Sequence, residues 1–320
     1  MTLPKNRHHN FVARSTSYLA ALRPRQWTKN LVVFAAPLFA FSINIQTFLS
    51  SLLAFILFCC ASSSFYLLND IVDVESDRLH PVKCNRPIAA GLVNIRVAFG
   101  LAVFLLIGTL TIGWMQSYKL GATITAYAIL QVAYNLRIKR MVILDIGAIA
   151  GGFVLRAYAG AAATEIVLSI WFLLCTAMLA LFLAIEKRKA ELRLTQINGI
   201  KPRAVLRHYS LELLGRMENV VTASTISSYA LWSSGPLLHG ASTAWMLLTL
   251  PFVLYGIFRY QLISDTQEIA NQSDDRIDRG GRSERPEEVL LKDVPILVTV
   301  CSWAAVCFVI LWLRSKGAID

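Results

Sequence analysis

Residues 69–91 read Asn69-Asp70-Ile71-Val72-Asp73-Val74-Glu75-Ser76-Asp77-Arg78-Leu79-His80-Pro81-Val82-Lys83-Cys84-Asn85-Arg86-Pro87-Ile88-Ala89-Ala90-Gly91. Asn69, Asp70, Asp73 and Asp77 step by three and four, so on a continuing helix they share one face. Four acids, Asp70, Asp73, Glu75 and Asp77, fall within eight residues and repel one another unless a cation neutralises them. Oxygen-only ligands suit Mg²⁺, which takes one or two carboxylates and completes its shell with water and substrate phosphates. Arg78, Lys83 and Arg86 follow at once. Metal-holding acids beside phosphate-holding bases are the ingredients for handling a diphosphate. A solvated loop of mixed charge is the plainer reading, but the stretch is wedged between two long apolar segments.

Those flanking segments belong to a pattern that runs through the chain. Of 320 residues, 56% are hydrophobic and only 16% charged, where an ordinary soluble domain is nearer ~25% charged. Apolar runs of about 20 residues, enough to cross a bilayer as helix, recur along the whole length. Only helices or closed barrels span lipid, and ten-residue strand alternation is absent, so the expected class is an all-α membrane protein. Nine spans are expected, at 28–43, 47–68, 95–115, 119–136, 142–163, 168–186, 217–235, 243–263 and 294–313. With the N-terminus cytoplasmic, 27 of the 31 Lys and Arg fall on the cytoplasmic side. The expected organisation is a cytoplasmic tail over 1–22 and one membrane domain over 23–320. Its cytoplasmic loops are 69–94, 137–141, 187–216 and 264–293. No cleaved signal peptide is read in the basic tail. The expected setting is the cytoplasmic (inner) membrane, crossed many times, with chemistry on the cytoplasmic face because the external connections are short. The six cysteines have no metal spacing and the five histidines form no cluster.

Two charges lie within the apolar runs. Arg156 sits eleven residues past Asp145, about 16 Å along a helix at 1.5 Å per residue and near the bilayer midplane. A charge there faces the bundle interior, a partner or a wet cavity, and an anion-facing role competes with a structural one. Asp145 meets the positive end of the same helix and reads as structural. Upstream, Arg23-Pro24-Arg25-Gln26-Trp27-Thr28-Lys29-Asn30 suits an interface anchor, or a helix entrance where Gln26, Lys29 and Asn30 point into a site.

Asn-Asp-x-x-Asp-x-x-x-Asp at the cytoplasmic end of a second span resembles the first aspartate-rich motif of the UbiA superfamily of intramembrane prenyltransferases. The resemblance implies nine helices around a central cavity, with the motif holding Mg²⁺ and a diphosphate. The superfamily's second motif, Asp-x-x-x-Asp after the sixth span, is replaced here by Glu186-Lys187-Arg188-Lys189-Ala190-Glu191-Leu192. In that departure the chain resembles the polyprenyl-phosphate phosphoribosyltransferase branch. The pieces that carry this are Arg23 to Trp27 with Lys29-Asn30, the 69–91 stretch, Tyr134 with Lys139, Leu155-Arg156-Ala157 with Ala159-Gly160, Trp171 to Leu174, and Lys187-Arg188 with Ala190 to Leu192. The likeness is clear over about residues 20–195 and weaker beyond, through Arg259-Tyr260 and Pro286-Glu287-Glu288.

The activity implied is transfer of a 5-phosphoribosyl group from phosphoribosyl diphosphate to a polyprenyl phosphate. Such a reaction handles three phosphate groups. One acidic motif can hold Mg²⁺ and the departing diphosphate, and cations must hold the others. The expected roles are Asp73 and Asp77 as principal Mg²⁺ ligands, with Asn69 and Asp70 supporting. Lys83, Arg86, Lys187 and Arg188 would contact phosphates, Lys187 and Arg188 catalytically. Arg156 would reach a phosphate from below, and Tyr134, Lys139 and Lys29 would complete substrate binding. Two other classes are weighed. A prenyltransferase acting on a prenyl diphosphate and an aromatic acceptor would want a second acid pair, for which Glu186 and Glu191 are the candidates. A transporter would need access from both leaflets. The partners expected are the two substrates and the bilayer, not nucleic acid; a homo-oligomer is compatible with the sequence.

Overall fold

Local signals in the chain start and stop its helices. The computed structural model describes residues 16–42, 44–79, 83–198, 204–272 and 293–319. Most of the 264–293 loop, including Pro286-Glu287-Glu288, and residues 1–15 lie outside them. The α-helices are α1 Ala35–Phe39, α2 Ile45–Val72, α3 Val74–Arg78, α4 Ile95–Gln116, α5 Tyr118–Leu136, α6 Leu144–Thr164, α7 Ile170–Asn198, α8 Leu211–Ser233, α9 Leu250–Gln272 and α10 Val294–Ser315. Among the described residues there is no strand. Side-chain caps begin five of these helices: Asn44 accepts from the Thr47 N–H, Asn94 from Arg96, Ser117 from Leu120, Ser210 from Leu213 and Asp293 from Ile296.

Among the described residues six helical segments are long and apolar enough to cross a membrane: Ile45–Val72, Ile95–Gln116, Leu144–Thr164, Ile170–Arg193, Ala244–Ser264 and Val294–Ser315. The other three expected spans are helical but depart from that form. α5 is long enough but carries Lys119, Gln131 and Asn135 among its apolar residues, and α8 carries Glu212, Arg216 and Glu218 in its first turns. The first is the most different. It is a 3-10 helix over Pro24–Phe34 followed by the five residues of α1. Pro37 supplies no N–H to bond the Val33 carbonyl, so an α-helix cannot run unbroken through this point. A 3-10 run this long is uncommon and calls for support from neighbours. α6 provides it at Gly160, where any Cβ would collide with the Val33 carbonyl. The segment expected as the eighth span likewise opens as 3-10 over Ala244–Thr249 and becomes α-helix at Leu250, beside Pro251.

The sixth span does not end near residue 186. α7 continues to Asn198, so Lys187 to Leu192 are helical rather than loop. At the acid-rich stretch α2 stops at Val72 and α3 starts at Val74, with Asp73 as the joint. The Asp73 N–H still bonds the Asn69 carbonyl at 2.9 Å, and the Asp77 N–H bonds the Asp73 carbonyl at 2.8 Å. The one-face arrangement of the acids therefore survives the joint.

Elements neighbouring in sequence mostly pack side by side, and the first segment wedges between α2 and α6. A central cavity of about 690 Å³ results. Every long helix except α4 lines it; α4 lies outside, against α2 and α5.

Candidate active site

The acids of the 69–77 stretch form a rim, and the structure sorts them by access. Asp70 and Asp77 are each 3% exposed, whereas the Asp73 side chain is 33% exposed. Asp70 accepts from Arg23 at 2.6 Å and from Arg86 at 3.0 Å. Arg86 also donates to Asp77 at 2.6 Å, bridging the two buried carboxylates. Lys139 comes from the 3-10 turn Ile138–Arg140. It lies 3.6 Å from Asp73 and 3.4 Å from the Asn69 amide oxygen. Arg86 is fixed by a tight turn: the Pro87 carbonyl accepts from Leu92 and Val93, Gly91 has φ +74°, and Ile88 is buried beneath. That φ favours glycine, so the end of the Arg-Pro-Ile-Ala-Ala-Gly run has a backbone reason. Lys83 sits in the 3-10 turn Lys83–Asn85 just before it.

The chemistry of this donor set fits Mg²⁺: hard carboxylate and amide oxygens. Among the described residues no three His, Cys, Asp or Glu side chains converge into a cage. Asp73 is the accessible carboxylate of the rim.

Arg23, expected only as part of an interface anchor, belongs to the rim. Its backbone is left-handed, φ +56°, rare for a side chain of this size. Besides bonding Asp70, its guanidinium lies 5.0 Å from the centre of the Tyr66 ring, and Tyr66 lines the cavity. Arg23 thus joins the rim to the cavity. Forty-seven residues separate it from Asp70, and nothing local in sequence signals such a contact.

One face of α7, from Phe172 to Lys187, forms a wall of the cavity. Fifteen residues of helix make that wall about 22 Å long. At one end stand Lys187, Lys29, Tyr134 and Tyr66; at the other, Phe39, Phe172, Trp232 and Trp303. The aromatic end is closed by ring packing, with Phe39 5.0 Å from Trp232 and 5.7 Å from both Phe172 and Trp303. Trp303 donates to the Tyr229 hydroxyl at 2.8 Å. Between the ends lies Arg156, 6% exposed. Lys29, Arg156 and Lys187 all line the cavity, and among the described residues no Asp or Glu does.

The neighbours of Lys187 face elsewhere. Arg188, 2% exposed, does not line the cavity. It donates to Asp145 at 2.8 Å and to Glu191 at 2.5 Å. Asp145, fully buried, also accepts from the Tyr209 hydroxyl at 2.8 Å, and that hydroxyl accepts from the Ile143 N–H at 2.7 Å. Burial pushes the Tyr209 hydroxyl up to about 12, with the Asp145 carboxylate adding to the shift, so it stays a donor at ordinary pH. Lys189 pairs with Glu186 and Glu218, and Gln261 donates to Glu218 at 2.7 Å. The structure therefore does not bring Glu186 and Glu191 together as an acid pair. Each is held by a cation of its own helix, on different sides.

Of the residues expected at a site, Lys29, Tyr134, Arg156 and Lys187 line the cavity. Asn69, Asp70, Asp73, Asp77, Arg86 and Lys139 form the rim, with Lys83 next to it in the chain. Arg188 stands apart.

Long apolar helices around a cavity that is charged at one end and aromatic at the other are the architecture of a multi-pass membrane protein with an internal binding site. The UbiA prenyltransferase family is matched over residues 30–274. The decaprenyl-phosphate phosphoribosyltransferase of Mycolicibacterium smegmatis is 37% identical over 298 residues, 89% of each chain. That of Corynebacterium glutamicum is 37% identical over 292 residues, 89% of this chain and 83% of the relative. Among solved structures, the UbiA homolog of Archaeoglobus fulgidus bound to DMAPP and Mg²⁺ superposes with a TM-score of 0.64 at 20% identity, covering 93% of this chain and 99% of that one. This chain belongs to the UbiA prenyltransferase family and is an enzyme of that superfamily. The sequence resemblance is borne out.

Proposed function

We propose that this protein transfers the 5-phosphoribosyl group of phosphoribosyl diphosphate to a polyprenyl phosphate, releasing diphosphate, with Mg²⁺ as cofactor. The observation that carries the reading is the division of charge. An acid rim for a metal-bound diphosphate adjoins a cavity lined, among the described residues, by three cations and no carboxylate. The names of the relatives just given support the same substrates. Prenyl transfer to an aromatic acceptor would call on a second acid pair facing the cavity, and Glu186 and Glu191 are held away from each other.

Asp73, with Asp77 and the Asn69 amide, would hold Mg²⁺, which when bound offsets the charge of the departing diphosphate. Arg86, Lys83 and Lys139 would receive diphosphate oxygens as it forms. C1 of the ribose leaves with oxocarbenium character, and a lipid phosphate oxygen attacks the opposite face. That nucleophile is already anionic, so no general base is needed. Lys187 and Lys29 at the rim end, with Tyr134, would bind the 5-phosphate, and Arg156 the lipid phosphate, aligning the partners. Asp70 and Arg188 take different roles in this reading: Asp70 orients Arg23 and Arg86, and Arg188 anchors the end of α7 to α6. We place the rim at the cytoplasmic face, with nine crossings and a cytoplasmic N-terminus, on the distribution of Lys and Arg.

The test is a choice of substrates. Purified protein with Mg²⁺ should turn over phosphoribosyl diphosphate plus polyprenyl phosphate. Turnover of prenyl diphosphate plus an aromatic acid instead would replace the reading.

A further inference from the structure

The buried and rim cations of the described residues differ in what they meet. Arg23, Arg86, Lys139, Arg188 and Lys189 each meet a carboxylate. Among the described residues Arg156 meets none. Its Nε donates to the Asn30 amide oxygen at 2.7 Å and its Nη2 to the Tyr127 hydroxyl at 2.9 Å. Its remaining contacts are ring faces, Tyr127 at 5.0 Å and Phe153 at 5.4 Å. A buried arginine at membrane depth with only neutral partners is costly unless an anion completes it.

Asn30 makes that arrangement specific. It is 1% exposed, and its amide nitrogen is spent on Cys59 at 3.3 Å and Ser62 at 3.4 Å of α2. The amide oxygen is thereby aimed at Arg156. An aspartate here could make the same hydrogen bond and would cancel the charge. With Nε held by Asn30 and Nη2 engaged by Tyr127, Nη1 remains beside Gly152 at the cavity wall. A Cβ at Gly152 would come within 3.1 Å of that Nη1. Asn30 itself reaches Arg156 because Gly160 lets the Val33 carbonyl sit against α6.

We propose that Asn30 is the positioning residue of Arg156: its neutral oxygen fixes the guanidinium without neutralising it and turns Nη1 to one oxygen of a phosphate monoester in the cavity. This rests on reading the cavity as phosphate-binding, and adds to that reading a residue and a requirement for neutrality.

The experiment is a double-mutant cycle on the purified full-length chain, with binding of farnesyl phosphate and of inorganic phosphate measured by calorimetry. Asn30→Asp should weaken farnesyl phosphate at least about tenfold, the size of one charge-assisted contact. Arg156→Gln should do the same, and the double variant should be no worse than Arg156→Gln alone. In turnover, Asn30→Asp should raise KM for the lipid substrate more than it lowers kcat. Equal weakening of inorganic phosphate would place the recognition on phosphate itself; weakening of farnesyl phosphate alone would place it on the lipid headgroup, and either result supports the pairing. Additive losses, or wild-type binding in Asn30→Asp, would overturn it. If Asn30→Asp does not fold, Gly152→Ala crowds Nη1 with Asn30 intact; it should weaken farnesyl phosphate, and unchanged binding there overturns the proposal. Failure of the substrate reading looks different: phosphoribosyl transfer is absent while the cycle stays non-additive.

Discussion

Lys187, Arg188 and Lys189 are consecutive, yet each meets a different part of the molecule. Successive residues of a helix point about 100° apart. Lys187 therefore reaches the cavity, Arg188 reaches Asp145 of α6, and Lys189 reaches Glu218 of α8. Their substitutions should separate cleanly. Lys187→Gln should lower kcat/KM for phosphoribosyl transfer about ten- to hundredfold, the loss of one charge-assisted phosphate contact. Its thermal unfolding should stay unchanged. Arg188→Gln leaves Asp145 buried without its cation, at a cost of about 3–5 kcal/mol. It should appear as a lowered Tm whatever the substrate. Equal Tm values for both variants would refute the assignment of faces. At the rim, Asp73→Asn or Asp77→Asn should abolish turnover at saturating Mg²⁺ while the protein stays folded; near-normal activity in both would remove them as metal ligands. The acids were legible in the sequence because a three- and four-residue spacing keeps its meaning through the joint at Asp73. The facing of Lys187 was not, because ending the span at residue 186 hides the helical phase that decides it. Arg23 was hidden for another reason: its left-handed backbone and its distant partner leave no local pattern.

At the scale of elements, the first segment depends on its contact with α6. Gly160→Ala would drive a methyl group into the Val33 carbonyl, so the segment must shift. The expected cost is about 1–3 kcal/mol, as for overpacking elsewhere, read by thermal unfolding together with weakened lipid-phosphate binding as Asn30 moves. Hydropathy located this segment, but apolar content cannot tell a 3-10 run from an α-helix; Pro37 and Gly160 decide, and Gly160 lies far along the chain. At the other end of the fold, Arg259 donates to Asp293 at 3.0 Å, tying α9 to the start of α10. The Arg259 hydrogen bond holds the Asp293 carboxyl below its usual value. A depressed carboxyl adds stability that is full above its unfolded value, about 3.9, and is lost as pH falls through the lower folded value. The difference in Tm between wild type and Asp293→Asn should therefore be present at neutral pH and shrink in acid. A difference that grows in acid would contradict the pairing.

For the molecule as a whole, long apolar helices and the charge bias were both legible, because lipid imposes them on composition directly. The crossing count is the part to measure. A reporter fused after Asp320 should read as external and one placed within 264–293 as internal; an internal C-terminus would undo the nine-crossing arrangement. One contact also carries a consequence for how the chain is made. Asn30 and Arg156 are 126 residues apart. At about 5–20 residues per second, synthesis separates their emergence by roughly 6–25 seconds. During that interval the first segment has reached the membrane without the helix that holds its irregular backbone, so it should dock late rather than insert first. A nascent chain stopped at residue 140 should leave a cysteine placed at position 30 open to a water-soluble thiol reagent, and the full-length chain should shield it.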